Sequence, residues 1–303
     1  MKYFFLTGAH KSGTSWLSQM IRRHPAVAMP RQELWMFGHP RGLAGAPFDK
    51  MVSDWLSLGT VAAQFPPQDH EDLKASLRRA LVVATLQRFG KPGCEAIGEK
   101  TPLFTLRGLS ELKASFSGAY VISILRDGRD AVVSHHFHNL RLRDFSLYPD
   151  LAVGEAAYAY HVARTSEAAV PLLNEATLRR VASNWAECLR AEAAVGEIIG
   201  KRGLCLRYEE LLSNTPSLLT KIFDHLGLKS DQAMINKIVR ATSFEKMSKG
   251  RKAGETDPQS FVRKGSTGDW KLYFDHESAA TFNSCAGAEL VAAGYASDLQ
   301  WLP

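Results

Sequence analysis

Short runs of β-branched and aromatic residues alternate along this chain with longer segments whose apolar positions recur at helical spacing. That alternation is the mark of parallel strands joined by helical crossovers. Strands are predicted over residues 2–7, 95–98, 119–125 and 203–207, and helices over 14–23, 70–89, 103–115, 128–140, 154–169, 178–199 and 216–226. For the last helix Thr215 reads as the cap, Pro216 as the first position and Gly227 as the stop. The expected fold class is α/β, a three-layer arrangement with a central parallel sheet flanked by helices. No repeat and no low-complexity linker divides the chain, so residues 1–303 are read as one domain.

Two segments break the pattern. Residues 29–69 carry Pro30, Pro40, Pro47, Pro66 and Pro67 among aromatics expected to be exposed, namely Trp35, Phe37, Phe48, Trp55 and Phe65. Residues 248–268 are rich in Gly, Lys, Ser and Thr. Irregular segments of this length are usually functional in a packed domain.

Composition narrows the function classes. With 45% hydrophobic and 22% charged residues the chain is an ordinary globular sequence, which excludes global disorder. No stretch approaches the ~20 apolar residues of a membrane span, and the first residues lack the pattern of a secretory leader. Cys94, Cys188, Cys205 and Cys285 show neither zinc spacing nor pairing, so reduced, mostly buried thiols and a cytoplasmic location are expected. The 37 basic residues against 31 acidic ones leave a net charge of +6. They form no basic helix stripe interleaved with aromatics, so nucleic acid is not the expected partner.

Three places look built for anions. After the first predicted strand comes Gly8-Ala9-His10-Lys11-Ser12-Gly13-Thr14-Ser15-Trp16, and then a helix. Glycines that permit unusual backbone angles, successive amides and a helix N-terminus together make a phosphate cradle. It differs from the nucleoside triphosphatase loop, because Thr14 rather than Lys follows Gly13. The second place is Arg126-Asp127-Gly128-Arg129-Asp130, at the carboxyl end of a strand, with Asp127 as helix cap and Ser134 about two turns on. The third is Arg263-Lys264-Gly265-Ser266-Thr267-Gly268-Asp269-Trp270-Lys271, adjacent cations in a Gly-rich segment that resembles a closing lid.

Taken together, these motifs resemble the sulfotransferases that use 3'-phosphoadenosine 5'-phosphosulfate, particularly the cytosolic type. Lys11 to Trp16 is similar to the family's 5'-phosphosulfate loop, residues 125–134 to its 3'-phosphate motif, and residues 263–271 to its R-K-G-x-x-G-D-W-K signature. Between them, Arg207 to Leu211 resembles the segment whose Tyr meets the adenine, and Thr242-Ser243-Phe244 with Met247 resembles T-S-F-x-x-M. The resemblance implies a P-loop-like fold. It implies as donor ligands Lys11, Ser12, Gly13, Thr14, Ser15, Trp16, Arg126, Ser134, Tyr208, Thr242, Phe244, Arg263, Lys264 and Gly265. The product would be adenosine 3',5'-bisphosphate, and no metal is required.

The chemistry that follows is sulfuryl transfer to a hydroxyl, or less readily an amine, of a small-molecule or glycan acceptor. Lys11 is expected to neutralise charge on the bridging oxygen as it leaves. The family's catalytic His stands in a K-T-H segment, whereas this chain has Glu99-Lys100-Thr101-Pro102. That segment resembles the E-K-[ST] of heparan-type sulfotransferases, whose Glu is the base, so Glu99 is expected to share the cleft with Lys11 and take the proton. His10, His135, His136 and His138 are the other candidate bases. Acceptor walls are expected from residues 29–69 and 139–170, with Trp35, Phe37, Trp55, Phe65, Phe145 and Tyr148. A homodimer is the base-rate expectation. The competing readings are a P-loop kinase using ATP and Mg, and a nucleotide-binding module without chemistry.

Overall fold

The computed structural model describes residues 1–38, 42–145 and 151–302; Pro40 and Tyr148 lie outside them. Five parallel strands form one sheet in the order β2-β3-β1-β4-β5. They are β1 (Lys2–Thr7), β2 (Val27–Ala28), β3 (Ala96–Lys100), β4 (Tyr120–Leu125) and β5 (Gly203–Arg207). β1 pairs β3 on one side, with Phe5 opposite Glu99 and Leu6 opposite Lys100, and β4 on the other. The chain order therefore reverses at β1, and the crevice at its carboxyl end is where open α/β sheets bind ligands.

Alternation along the strands sends side chains to two apolar faces. Phe4, Leu6, Ile122 and Ile124 meet Leu17 and Met20 of the helix Thr14–Ile21 and Leu218, Ile222 and Phe223 of the helix Thr215–His225. On the other face Phe5, Ile97 and Val121 pack against Val82, Leu86, Leu109 and Leu112 of the helices His70–Gln87 and Leu106–Ser115. A further cluster around Trp185 and Phe282 joins the helices Gly128–Leu142, Glu175–Ala193 and His276–Ala292.

Several expectations need correction. The segment 29–69 is not wholly irregular, because the helix Ala46–Leu56 begins with Pro47 in its first turn, where no backbone donor is lost. Phe37 and Phe48 are core residues at 2% and 7% exposure, and only Trp35 and Trp55 are exposed. The helix foreseen over 154–169 is Leu151–Tyr158, followed by a π turn over Ala159–Ala163 that ends at Arg164 with φ 58°. Asn214 rather than Thr215 takes the cap position of Thr215–His225, because the Thr215 hydroxyl donates instead to the Leu211 carbonyl (2.6 Å). All four thiols are free, but only Cys188 is buried. The helices Gln232–Ala241 and His276–Ala292 were not foreseen.

Candidate active site

The donor-loop residues fold as their glycines dictate. β1 ends at Thr7, and the chain passes through Gly8 and Lys11, at φ 149° and 65°, to Gly13 at φ 94°, the cap position of the helix Thr14–Ile21. A Cβ on Gly13 would stand 2.5 Å from the Tyr208 ring, so both the left-handed backbone and the contact require glycine there. No side chain caps this helix, which leaves its first amides to the crevice. Ser12 is fully buried and its Oγ has no hydrogen-bond partner.

Arg126 emerges from the end of β4, where the Trp185 indole N–H holds its carbonyl (3.0 Å). Its guanidinium lies 4.6 Å over the Tyr208 ring and donates to the carbonyls of Lys11 (3.3 Å) and Ser266 (3.1 Å). One side chain thus touches the donor loop, the Tyr208 segment and the Gly-rich segment. Asp127 caps the next helix as expected, accepting from the Arg129 amide at 2.9 Å. Asp130, fully buried, lies 3.6 Å from Arg126 and accepts from the amides of Gly268 (2.8 Å) and Trp270 (3.1 Å). The Arg126–Asp130 pair is therefore an interior clamp on the lid.

Within the lid, Arg263 and Lys264 both pair with Asp269. A Cβ on Gly265 would stand 2.3 Å from the Phe244 ring, and its φ is 65°. Phe261 lies under the Lys11 ammonium, 4.7 Å from ring centre to Nζ. Burial is the main cause that lowers the Lys11 pKa from 10.5 to about 7, and Arg141, Arg126, Arg263 and Lys100 add to it. Ser12 Oγ, Arg126 Nε, and Arg263 Nε and Nη1 are buried donors without a hydrogen-bond partner. A polyanion is the ligand such a set fits.

These residues surround a cavity of about 500 Å3. Lys11, Gly13, Thr14, Ser15, Trp16, Arg126, Ser134, Tyr208, Phe244, Arg263, Lys264 and Gly265 line it. Ser12 and Thr242 do not. The Thr242 hydroxyl donates back to the Ile238 carbonyl (2.8 Å) and the residue is fully buried; its contribution is a carbonyl that fixes the Trp16 indole N–H at 2.8 Å.

Glu99 also departs from expectation. Strand parity turns it with Ile97 to the Phe5 face, while Lys100 faces the donor loop and donates to Ser15 Oγ at 3.0 Å. Glu99 is fully buried, neither carboxylate oxygen makes a well-formed hydrogen bond, and it does not line the cavity. Its pKa is raised to about 7, chiefly by burial with a smaller push from Glu33, and the Thr101 hydroxyl and the Leu34 and Met36 amides offset part of the rise. The chain at Leu34 to Met36 covers it, and Trp35 of that segment lines the cavity instead.

Sequence reasoning missed Glu33, which lines the cavity and pairs with Lys100. The sequence carried no signal for it, because the two-residue β2 that precedes it is not among the predicted strands. Among the expected acceptor walls Trp35 lines the cavity, but Phe37 is core, Trp55 and Phe65 stack on each other 6.0 Å apart, and Phe145 packs near Tyr158. His10, His135 and His138 line it too, all uncharged at neutral pH because burial lowers them to about 4, 2 and 4. His136 is fully buried, with Nδ1 2.9 Å from the Val132 carbonyl oxygen.

Comparison with known proteins agrees with this geometry. A sulfotransferase domain model matches residues 109–293, more than half of the chain. Human sulfotransferase 1C2 is 34% identical over 80 residues, which are 23% of this chain and 27% of that protein. Sulfotransferase 2A6 of Rattus norvegicus is 28% identical over 108 residues, 33% of this chain and 37% of that protein. The chain thus spans about a quarter to a third of the length of the curated relatives it matches. Mouse sulfotransferase SULT7A1 complexed with PAP shares the fold at a TM-score of 0.55 and 18% identity, over 99% of this chain and 87% of that one. By the domain match, this chain belongs to the sulfotransferase domain family.

Proposed function

We propose that this protein is a sulfotransferase whose donor is 3'-phosphoadenosine 5'-phosphosulfate and whose acceptor is a hydroxyl of a small molecule or glycan, worked by a single domain over residues 1–303. The observation that carries the reading is the convergence on one cavity of anion-binding groups from the donor loop, the end of β4 and the Gly-rich lid. We assign Lys11 and the donor-loop amides to one anionic group of the ligand, and Arg126, Ser134 and the Arg263 to Gly265 lid to another. A donor with a 5'-phosphosulfate and a separate 3'-phosphate matches that assignment, whereas a triphosphate would place its charge in one line. The PAP complex of the mouse protein supports the same choice. A kinase is disfavoured by Thr14 after Gly13, which leaves no lysine at the position that reaches a terminal phosphate.

When bound, the donor supplies an activated sulfuryl group. The donor-loop amides hold its phosphosulfate, and Arg126 with Ser134 and the lid hold the 3'-phosphate. Tyr208, Trp16 and Phe244 supply apolar surface for the base. Lys11 neutralises charge developing on the leaving oxygen, the principal task in a loose transition state. Incubation with sulfur-labelled donor and a panel of phenols, alcohols and sugars tests this. Labelled sulfate ester should form with wild type and fall by orders of magnitude in Lys11→Met; equal rates in the two proteins would overturn the role of Lys11.

A further inference from the structure

Arg129 is buried and does not line the cavity, and the transfer described above makes no use of it. We infer that it is the contact point of a latch: the segment from Tyr295 to Leu302 folds over Arg129 and Trp270 and seats the lid for the 3'-phosphate, with Trp301 and Tyr295 as positioning residues. The inference rests on the donor reading above and adds to it what holds the lid from outside the cavity.

From within, the lid is held by Asp130, which accepts from the Gly268 and Trp270 amides, and by Arg126, which donates to the Ser266 carbonyl. From outside, Trp270 meets the latch. The Arg129 guanidinium lies 3.9 Å from the Trp270 ring centre and 4.8 Å from that of Trp301, and the two indoles pack edge to face at 5.1 Å. A buried guanidinium shared by two indoles is held more firmly than one over a solvent-exposed ring. Arg129 also donates to the Asp127 carboxylate (3.0 and 2.7 Å) and to the Tyr295 carbonyl (2.8 Å), so its position depends on the latch backbone as well as on Trp301.

Asn283 fixes the latch to the helix His276–Ala292: its amide donates to the Leu299 carbonyl (2.8 Å) and its oxygen accepts from the Trp301 indole N–H (2.7 Å). At the other end the Tyr295 hydroxyl donates to Glu209 at 3.0 Å, and the second oxygen of that carboxylate accepts from the Asp127 amide at 3.2 Å. Glu209 directly follows Tyr208, whose ring lies under Arg126. The segment thus ties together the lid, the helix start at Asp127 and the Tyr208 segment. A lid seated only part of the time binds more weakly in proportion to the seated fraction, so contacts that never touch the ligand still set its affinity.

Calorimetry with adenosine 3',5'-bisphosphate and with adenosine 5'-monophosphate tests this on the full chain, in wild type, Trp301→Leu, Trp301→Phe, Tyr295→Phe and Val82→Ala. Trp301→Leu, which loses the shared cation–π and indole contacts, should weaken the bisphosphate about three- to tenfold and the monophosphate less than about twofold. Trp301→Phe keeps an aromatic face and should recover part of that loss. Tyr295→Phe removes only the hydrogen bond to Glu209 and should weaken the bisphosphate about two- to fivefold, which keeps the test open should Trp301→Leu not fold. Val82→Ala loses packing in a cluster that does not line the cavity and should leave both affinities unchanged. In turnover with labelled donor, Trp301→Leu should raise the KM for donor and leave the KM for acceptor unchanged. Three results would overturn the inference: undiminished bisphosphate affinity in Trp301→Leu and Tyr295→Phe, equal losses for the two nucleotides, or the same loss in Val82→Ala. A wild-type protein that binds the two nucleotides equally would instead contradict the donor reading on which the inference rests.

Discussion

Lys11 should take up a proton when the donor site fills. In the free protein its pKa is about 7 against an ordinary 10.5, a loss on the order of 5 kcal/mol in preference for the charged form. At about pH 8 roughly nine in ten molecules hold Lys11 neutral. Adenosine 3',5'-bisphosphate brings phosphate charge beside the ammonium, and both phosphates are already ionised at that pH. Binding should therefore draw about one proton onto Lys11, and affinity should fall up to about tenfold for each pH unit above about 7. Calorimetry at about pH 8 in two buffers of different ionisation enthalpy reads the uptake directly. Lys11→Met should remove the uptake and weaken binding less at high pH than at low. Wild-type binding with no proton uptake, or undiminished uptake in Lys11→Met, would refute the reasoning. The same shift predicts that the stability of the free protein rises between about pH 7 and 10.5, where the unfolded chain holds more protons, and that Lys11→Met flattens this slope.

Other outcomes follow from the packing. Gly265→Ala must place a Cβ against Phe244 at a φ of 65°, so product affinity measured by calorimetry should drop about tenfold or more; an unchanged affinity would separate the lid from the donor site. Burial holds Glu99 up to about 7 when folded, so wild-type stability should fall as pH rises from about 4.5 to 7. Glu99→Gln should then be more stable at pH 8 by at most about 3 kcal/mol, and identical urea midpoints across that range would contradict this. Arg78, fully buried, pairs with Asp49 and Glu111 and donates to the Leu43 carbonyl, anchoring the helix Ala46–Leu56. Arg78→Met should cost about 3 to 5 kcal/mol in urea unfolding, since Glu111 loses its counter-ion and Asp49 keeps only Arg107; a loss below about 1 kcal/mol would contradict that.

The sheet and the donor loop were legible because their signals are local. β1 and β5 run over the predicted residues, and Gly13 announces a backbone that only its neighbours need explain. What was hidden depends on distant partners. Pro47 reads as a breaker until it is seen in a first turn, and Thr242 reads as a ligand until Ile238 and Trp16 claim its two oxygens. Glu99 could have been placed by parity, because the alternation of Ala96, Gly98 and Lys100 with Ile97 and Glu99 assigns the two sets to opposite faces. Knowing which face meets the donor loop, however, required the β1 register. The cations around the cavity are likewise not all unpaired. Asp130 stands beside Arg126, and Asp269 holds Arg263 and Lys264, whereas Lys11 is buried among other cations.

The claim that this cavity holds a nucleotide by two separated anionic groups is tested most directly by thermal unfolding with adenosine 3',5'-bisphosphate, adenosine 5'-monophosphate, and ATP with Mg. At a ligand concentration of about 100 times its Kd, the bisphosphate should add roughly 2.7 kcal/mol and raise Tm by several degrees. The monophosphate, lacking only the 3'-phosphate, should do far less, and that difference should vanish in Arg126→Met. Equal stabilisation by the monophosphate, or a larger effect from ATP with Mg, would contradict the account.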